Sequence, residues 1–156
     1  MSLLAAVRPG EQNLPLFLHV LGAMVLVGSL VLAIASLGGA ARAGGAPVTR
    51  LAFRALLLGA LPAWIVMRGA AEWIASKEGY SGDRTPSWLD VGYIVAEPIA
   101  LFLLIALLLS GLSLRRLDRG GGGGGGGGLL RAAAVLTALM LAASLVAIFA
   151  MTTKPS

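Results

Sequence analysis

Four long apolar runs, separated by short connections, constrain the fold of this 156-residue chain more than any other feature. A helix of about 20 apolar residues matches the hydrocarbon thickness of a bilayer, and a spanning helix satisfies its own backbone groups. The fold class that we predict is all-α, an antiparallel bundle of four transmembrane helices that forms one membrane domain over residues 1–156. The predicted spans are residues 14–37, 51–76, 88–114 and 129–151.

Composition agrees with a membrane protein and excludes several classes of site. Hydrophobic residues make up 58% of the chain and charged residues only 12%, which is far from the composition of soluble domains. The chain has no cysteine, so disulfides, thiolate metal sites and cysteine nucleophiles are excluded. The net charge of +5 comes from arginines in short connections between apolar runs, which indicates membrane topology rather than nucleic-acid binding.

The distribution of basic residues predicts the orientation. The connections after the first and third runs hold most of the arginines, whereas the other side has four basic residues, Arg8, Lys77, Arg84 and Lys154. By the positive-inside rule these two connections face the cytoplasm, and both ends of the chain face outward (N-out, C-out). We therefore predict a multi-pass protein of a bacterial cytoplasmic membrane. The arginines that decide this are Arg42, Arg50, Arg54, Arg115, Arg116, Arg119 and Arg131.

Local signals mark where the runs begin, bend and end. Asn13 and Pro15 predict the start of the first helix, which we interpret as a span rather than a cleaved signal peptide. Pro62 should bend the second. Ser87 and Asp90 have the spacing of a capping box at the start of the third. Residues 119–128, which include nine consecutive glycines, predict a flexible cytoplasmic linker. They lack the Lys-Ser/Thr ending of a phosphate-binding loop.

Small residues recur at positions where helices could pack closely. Gly22, Ser29 and Ser36 are spaced by seven in the first run, and Gly59 and Ala63 by four in the second. Lipid gives helices no hydrophobic reason to associate, so close approach through small side chains stabilises bundles instead. We interpret these residues as packing positions.

Ionisable residues inside the spans are the candidate functional residues. A charge within the membrane costs a few kcal/mol or more and is usually retained for a reason. His19, Arg68, Glu72 and Glu97 all fall in the predicted outer half, and Asp90 lies seven residues before Glu97 on the same helical face. These five residues form the predicted polar cluster. In one interpretation Arg68 only bridges the two glutamates; in the other, one arginine facing two carboxylates creates a site that titrates.

Residues 18–29, with the sequence Leu-His-Val-Leu-Gly-Ala-Met-Val-Leu-Val-Gly-Ser, resemble the first helix of CopD-like bacterial membrane proteins. That group includes copper-export proteins, HemJ-type protoporphyrinogen oxidases and small four-helix families of about this size. The resemblance implies that His19 is a cofactor-binding residue, with haem as the candidate cofactor. This chain departs from the pattern, because Leu26 replaces a tryptophan, Ser29 replaces a glycine and there is no second histidine. Haem held by two histidines of one protomer is therefore impossible.

Three functions from different classes remain open at this point. The first is a haem-, metal- or redox-associated membrane protein that uses His19. The second is a small proton-linked or solute transporter that uses Glu97 and Arg68, and the third is a non-catalytic accessory subunit. No hydrolase motif is present and scattered methionines indicate packing, so we assign no catalytic residue and no metal site. The expected partners are the lipid bilayer and either a second copy or another membrane subunit.

Overall fold

The computed structural model describes residues 10–43, 45–79, 87–119 and 125–152, and the segments that it describes contain helices and no strands. The predicted all-α fold with four helices is confirmed, and each helix is long and apolar enough to cross a membrane. The chain is therefore a multi-pass membrane protein. The helices are α1 (Gly10–Ala43), α2 (Ala46–Glu78), α3 (Ser87–Asp118) and α4 (Gly125–Thr152).

The helices extend beyond the apolar runs at both ends. α1 begins at Gly10, so Pro15 lies inside the helix instead of in its first turn. α4 begins at Gly125, and residues 125–128 are thus helical rather than part of the linker that we predicted. Glycine is a poor helix former, but the carbonyls of residues 125–128 are the i−4 acceptors for the amides of residues 129–132. Leaving those amides unpaired next to hydrocarbon would cost several kcal/mol each.

The four helices form a ring in which each one packs against its two neighbours in sequence, with α4 closing on α1. Two contacts between α2 and α3 show that these helices run antiparallel. At one end, Arg50 pairs with Asp118 across 3.2 Å. Near the other end, the guanidinium of Arg68 lies over the ring of Tyr93. We call the end of the bundle with Arg50 and Asp118 the arginine-rich end, and the end with Arg68 and Tyr93 the opposite end.

α1 and α2 approach each other through small residues. A Cβ atom added to Gly22 would lie 2.9 Å from the Met67 backbone nitrogen and 3.0 Å from the Ala63 carbonyl oxygen. Further along, a Cβ on Gly59 would lie 3.0 Å from the Cβ of Ser29. These contacts agree with the predicted packing role of the small residues.

The core between the helices is aliphatic, while the outside of the bundle is also apolar. Buried hydroxyl groups of α3 and α4 donate to carbonyls of their own helices: Ser110 donates to the Ala106 carbonyl and Thr137 to the Ala133 carbonyl. Large apolar side chains cover the outer surface, as lipid contact requires, and Phe149 is 69% exposed. The largest fully buried apolar side chains include Leu26, Leu30, Leu56, Leu103 and Met140.

Pro62 does not end α2, because the helix widens just before it. Residues Ala55–Ala60 form a π-helical segment in which the amide of Leu61 bonds to the Leu56 carbonyl, five residues back. Proline lacks an amide hydrogen and crowds the preceding turn, and a π-helical turn relieves that crowding without breaking the helix. α2 then continues to Gly79, whose φ of 71° ends it in the left-handed conformation that glycine adopts most easily.

The two halves of α2 have different neighbours. The half at the arginine-rich end packs against both α1 and α3, whereas the half that begins at Leu61 packs along α1 and meets α3 at few points. The gap that this divergence leaves at the opposite end of the bundle is where the candidate site lies.

Candidate functional site

A cavity of about 100 Å³ lies between the four helices toward the opposite end of the bundle. Its walls are mainly aliphatic and include Leu26, Ile99 and Ile148. Four polar side chains interrupt this lining, one from each helix: His19, Arg68, Tyr93 and Ser144. An apolar cavity with a few convergent polar groups is the usual form of a small-molecule site.

His19 is half-buried, and its ring is held by the backbone of α2. Its Nδ1 lies 3.0 Å from the carbonyl oxygen of Met67. A carbonyl oxygen only accepts hydrogen bonds, so Nδ1 carries the proton in this contact. In the neutral imidazole Nε2 is then the acceptor nitrogen. The chain therefore presents a histidine with a fixed tautomer to a mainly apolar cavity.

Arg68 and Glu72 form an ion pair one turn apart on α2, as their spacing predicted. Tyr93 of α3 completes the group. Its ring lies under the guanidinium, with 4.4 Å between the Arg68 Cζ and the ring centroid. Its hydroxyl donates to the second oxygen of Glu72 at 3.3 Å. The group ties α2 to α3 where these helices otherwise separate.

A second link between α2 and α3 lies one turn deeper. The indole nitrogen of Trp64 donates to the carbonyl oxygen of Ala96 at 3.1 Å. Pro98 lies inside α3 and has no amide hydrogen to donate to the carbonyl of Ile94. The indole bonds two residues further along in this same proline-containing turn. Trp64 thus anchors the part of α3 that carries the cavity wall.

Glu97 does not join the other ionisable residues. Its side chain is exposed, on a surface shared with Ile94 (70% exposed) and Leu101 (57% exposed). Among the residues that the structure describes, it makes no ion pair or hydrogen bond. Arg68 therefore pairs with one glutamate rather than bridging two. The side chain of Asp90 lies outside the described part of α3, so its place in the predicted cluster is not determined.

Sequence reasoning missed several parts of the site. From the sequence alone, Tyr93 is expected at the membrane interface among other aromatic residues, the Met67 carbonyl has no side-chain signal, and α4 is expected only to pack. That last expectation is wrong, because Ser144 and Ile148 line the cavity. Depth was the available signal for Tyr93, since Glu72 and Tyr93 each lie six residues from the helix ends that face the connection between α2 and α3.

The enclosed part of the cavity is small for a haem within one protomer. Its volume is well below the roughly 300 to 1,000 Å³ typical of drug-sized and cofactor sites. In the described segments, no three histidine and acidic side chains lie close enough together to hold a metal ion. The cavity can still form hydrogen bonds with a ligand. Nε2 of His19 can accept one hydrogen bond. The hydroxyl of Ser144 donates to the Met140 carbonyl at 2.8 Å, and its oxygen can accept a second.

Comparison with known proteins gives no relative from which a family could be assigned. The chain matches no protein-family model, no curated protein and no solved structure. Its function therefore has to be argued from the site alone.

Proposed function

We propose that this chain is a multi-pass protein of a bacterial cytoplasmic membrane that binds a small, lipid-soluble molecule carrying a hydroxyl group in the cavity between its helices. His19 is the residue that recognises the hydroxyl. The proposal rests chiefly on the hydrogen bond between His19 Nδ1 and the Met67 carbonyl. Because that bond uses one ring nitrogen and fixes the ring, the other nitrogen is available to accept a hydrogen bond from a ligand. Histidines that ligate metals are commonly oriented by the same kind of bond from the other ring nitrogen.

The size and lining of the cavity indicate the class of ligand. An engineered apolar cavity of about 150 Å³ binds benzene, and the cavity here, at about 100 Å³ and partly open, suits a single ring or a short alkyl segment. Aliphatic walls favour an apolar body, and His19 favours a hydroxyl on it. A hydroxylated ring of the phenol or quinol type meets both requirements.

This ligand class is compatible with the redox association that the CopD-like resemblance of α1 implies, because quinols carry electrons in membranes. It is favoured over haem because the enclosed part of the cavity is closer in size to a single ring. Proton-linked transport through Glu97 has less support, since the side chain of Glu97 is on the exposed surface of α3 and does not line the cavity.

Fluorine NMR with two matched probes tests the proposal. Protein in lipid nanodiscs is titrated with 4-fluorophenol and with fluorobenzene, which has the same ring but no hydroxyl, and empty nanodiscs give the partitioning baseline. We expect a preference for the phenol of roughly tenfold, the value of about one hydrogen bond in an apolar site. Equal binding of the two probes would contradict a hydrogen-bonding role for the cavity.

Three variants locate the binding. His19→Leu should abolish the preference for the phenol but retain the binding of fluorobenzene. Ala71 lines the cavity, so Ala71→Phe fills it and should abolish the binding of both probes. Ala142→Phe adds the same ring on the exposed surface of α4 and should bind like the unmodified protein. If Ala71→Phe and Ala142→Phe bind the phenol equally well, the ligand lies elsewhere.

A further inference from the structure

The interface between α2 and α3 is closely packed at the arginine-rich end of the bundle. Arg50 of α2 pairs there with Asp118 of α3 across 3.2 Å. Deeper in the bundle, the ring of Phe53 lies so close to Gly111 that a Cβ atom added to the glycine would be 3.3 Å from the Phe53 Cε2. These two contacts show which faces of the antiparallel helices meet.

Each of these faces carries an exposed arginine beside the interface. Arg54 follows Arg50 by four residues, which places it one turn deeper on the same side of α2. Arg115 precedes Asp118 by three residues and lies about one turn deeper on the same side of α3. Because Arg50 and Asp118 meet across the interface, the two deeper arginines lie on either side of it. We call Arg54 and Arg115 the arginine pair.

The arginine pair has no counter-charge in the described segments. Neither side chain forms an ion pair or a hydrogen bond with another described residue. Asp118 is the acidic residue among the described residues of this end, and Arg50 already holds it. Two guanidinium groups on neighbouring helices repel each other, and the repulsion grows as the dielectric constant falls toward the hydrocarbon. An anion between them removes the repulsion by pairing with both.

The surface next to the arginine pair is apolar toward the middle of the membrane. Leu58 lies one turn deeper than Arg54 and is 69% exposed. On α3, Leu108 lies two turns deeper than Arg115 and is 66% exposed, and Leu112 between them is also exposed. A ligand that matches this surface has an anionic group at one end and apolar chains that extend from it. An anionic phospholipid has this form, whereas a soluble anion has no part that the leucines contact.

We propose that Arg54 and Arg115 together bind the phosphate group of an anionic phospholipid, whose acyl chains lie along the exposed leucines of α2 and α3. Guanidinium groups bind phosphate oxygens through paired, charge-assisted hydrogen bonds. Basic residues between transmembrane helices form headgroup sites in this way. The positive-inside rule accounts for the total charge of this end, whereas a headgroup site also requires two arginines beside one interface. The site is separate from the cavity and does not rest on the proposed ligand.

Native mass spectrometry, which counts the lipids bound to the protein, tests the proposal. Phosphatidylglycerol should bind more tightly than phosphatidylcholine with the same acyl chains. Arg54→Gln and Arg115→Gln should each weaken phosphatidylglycerol binding roughly fivefold, the value of one basic residue at an anionic membrane surface. Arg131→Gln is the matched control, because it removes the same charge from an exposed position of α4, which packs against α1 and α3. Its binding should equal that of the unmodified protein.

Equal losses in all three variants would show only a general attraction to the arginine-rich end, and would overturn the proposal. No preference for phosphatidylglycerol in the unmodified protein would do the same. Competition with glycerol phosphate, which has the anionic group without acyl chains, separates a lipid from a soluble phosphate. Bound phosphatidylglycerol should resist displacement by an equal concentration of glycerol phosphate. Displacement at equal concentration would assign the arginine pair to a soluble phosphate and overturn the lipid site.

Discussion

The guanidinium carbon of Arg68 lies 4.4 Å from the centroid of the Tyr93 ring, and this contact joins the two helices whose separation creates the cavity. The hydroxyl of the same tyrosine donates to Glu72, which itself pairs with Arg68. An arginine buried by itself near hydrocarbon would be costly. Here a carboxylate and an aromatic face balance the charge of Arg68, so the rim of the cavity carries no unpaired charge.

The two contacts of Tyr93 can be separated by substitution. Tyr93→Phe loses the hydroxyl bond to Glu72, which at 3.3 Å contributes about 0.5 kcal/mol. Tyr93→Leu also loses the stacking on Arg68 and should reduce the free energy of unfolding by about 1 to 2 kcal/mol in total. Unfolding by denaturing detergent measures both values. Trp73→Leu, at an exposed aromatic of α2, is the control. Equal losses for the two Tyr93 variants would show that the stacking contributes nothing.

The protonation pattern of His19 can be observed directly. The contact with the Met67 carbonyl requires a proton on Nδ1, whereas free imidazole has no such requirement. Nitrogen NMR of labelled protein at alkaline pH should therefore show a single neutral tautomer with Nδ1 protonated and Nε2 unprotonated. The chain has one histidine, so the signal needs no assignment by mutation. A spectrum dominated by the other tautomer would remove the basis of the proposed ligand contact.

Two glycines of α1 should respond oppositely to the same substitution. Gly22→Ala places a Cβ 2.9 Å from the Met67 nitrogen, and we expect the free energy of unfolding to fall by about 1 to 3 kcal/mol. Gly28→Ala meets no described atom within 4 Å, and should be neutral or gain up to about 1 kcal/mol from helix propensity. Unfolding curves in denaturing detergent compare the two. A stable Gly22→Ala protein would mean that α1 and α2 do not approach as closely as described.

The predicted orientation is tested by labelling single cysteines in intact cells with a membrane-impermeant maleimide. Ser76→Cys on α2 and Thr152→Cys on α4 are exposed near the opposite end of the bundle, and should react from outside. Val48→Cys, exposed at the arginine-rich end, should react only after the membrane is broken. The physical reason is the positive-inside rule, which holds the arginines in the cytoplasm. The reverse labelling pattern would show that the chain has the opposite orientation in the membrane, with the same fold.

The number of helices and their spans could be predicted from the sequence because both are set by local properties. The length of each apolar run matches a bilayer, and the i,i+4 spacing of Arg68 and Glu72 places them together in any helix. Close packing at Gly22 followed in the same way from small residues at regular spacing. None of these predictions requires knowledge of how a helix is rotated in the bundle.

The tertiary structure alone decided which side of each helix faces inward. In a soluble helix polar residues mark the outer face, but in a membrane both lipid and core are apolar, so the sequence carries little periodicity from which rotation could be predicted. Glu97 was therefore predicted to face Arg68 and is instead exposed, while Tyr93, four residues earlier, meets Arg68. The contact of His19 with the Met67 carbonyl likewise depends on how close α1 comes to α2 at Gly22, and packing between the two helices determines that distance.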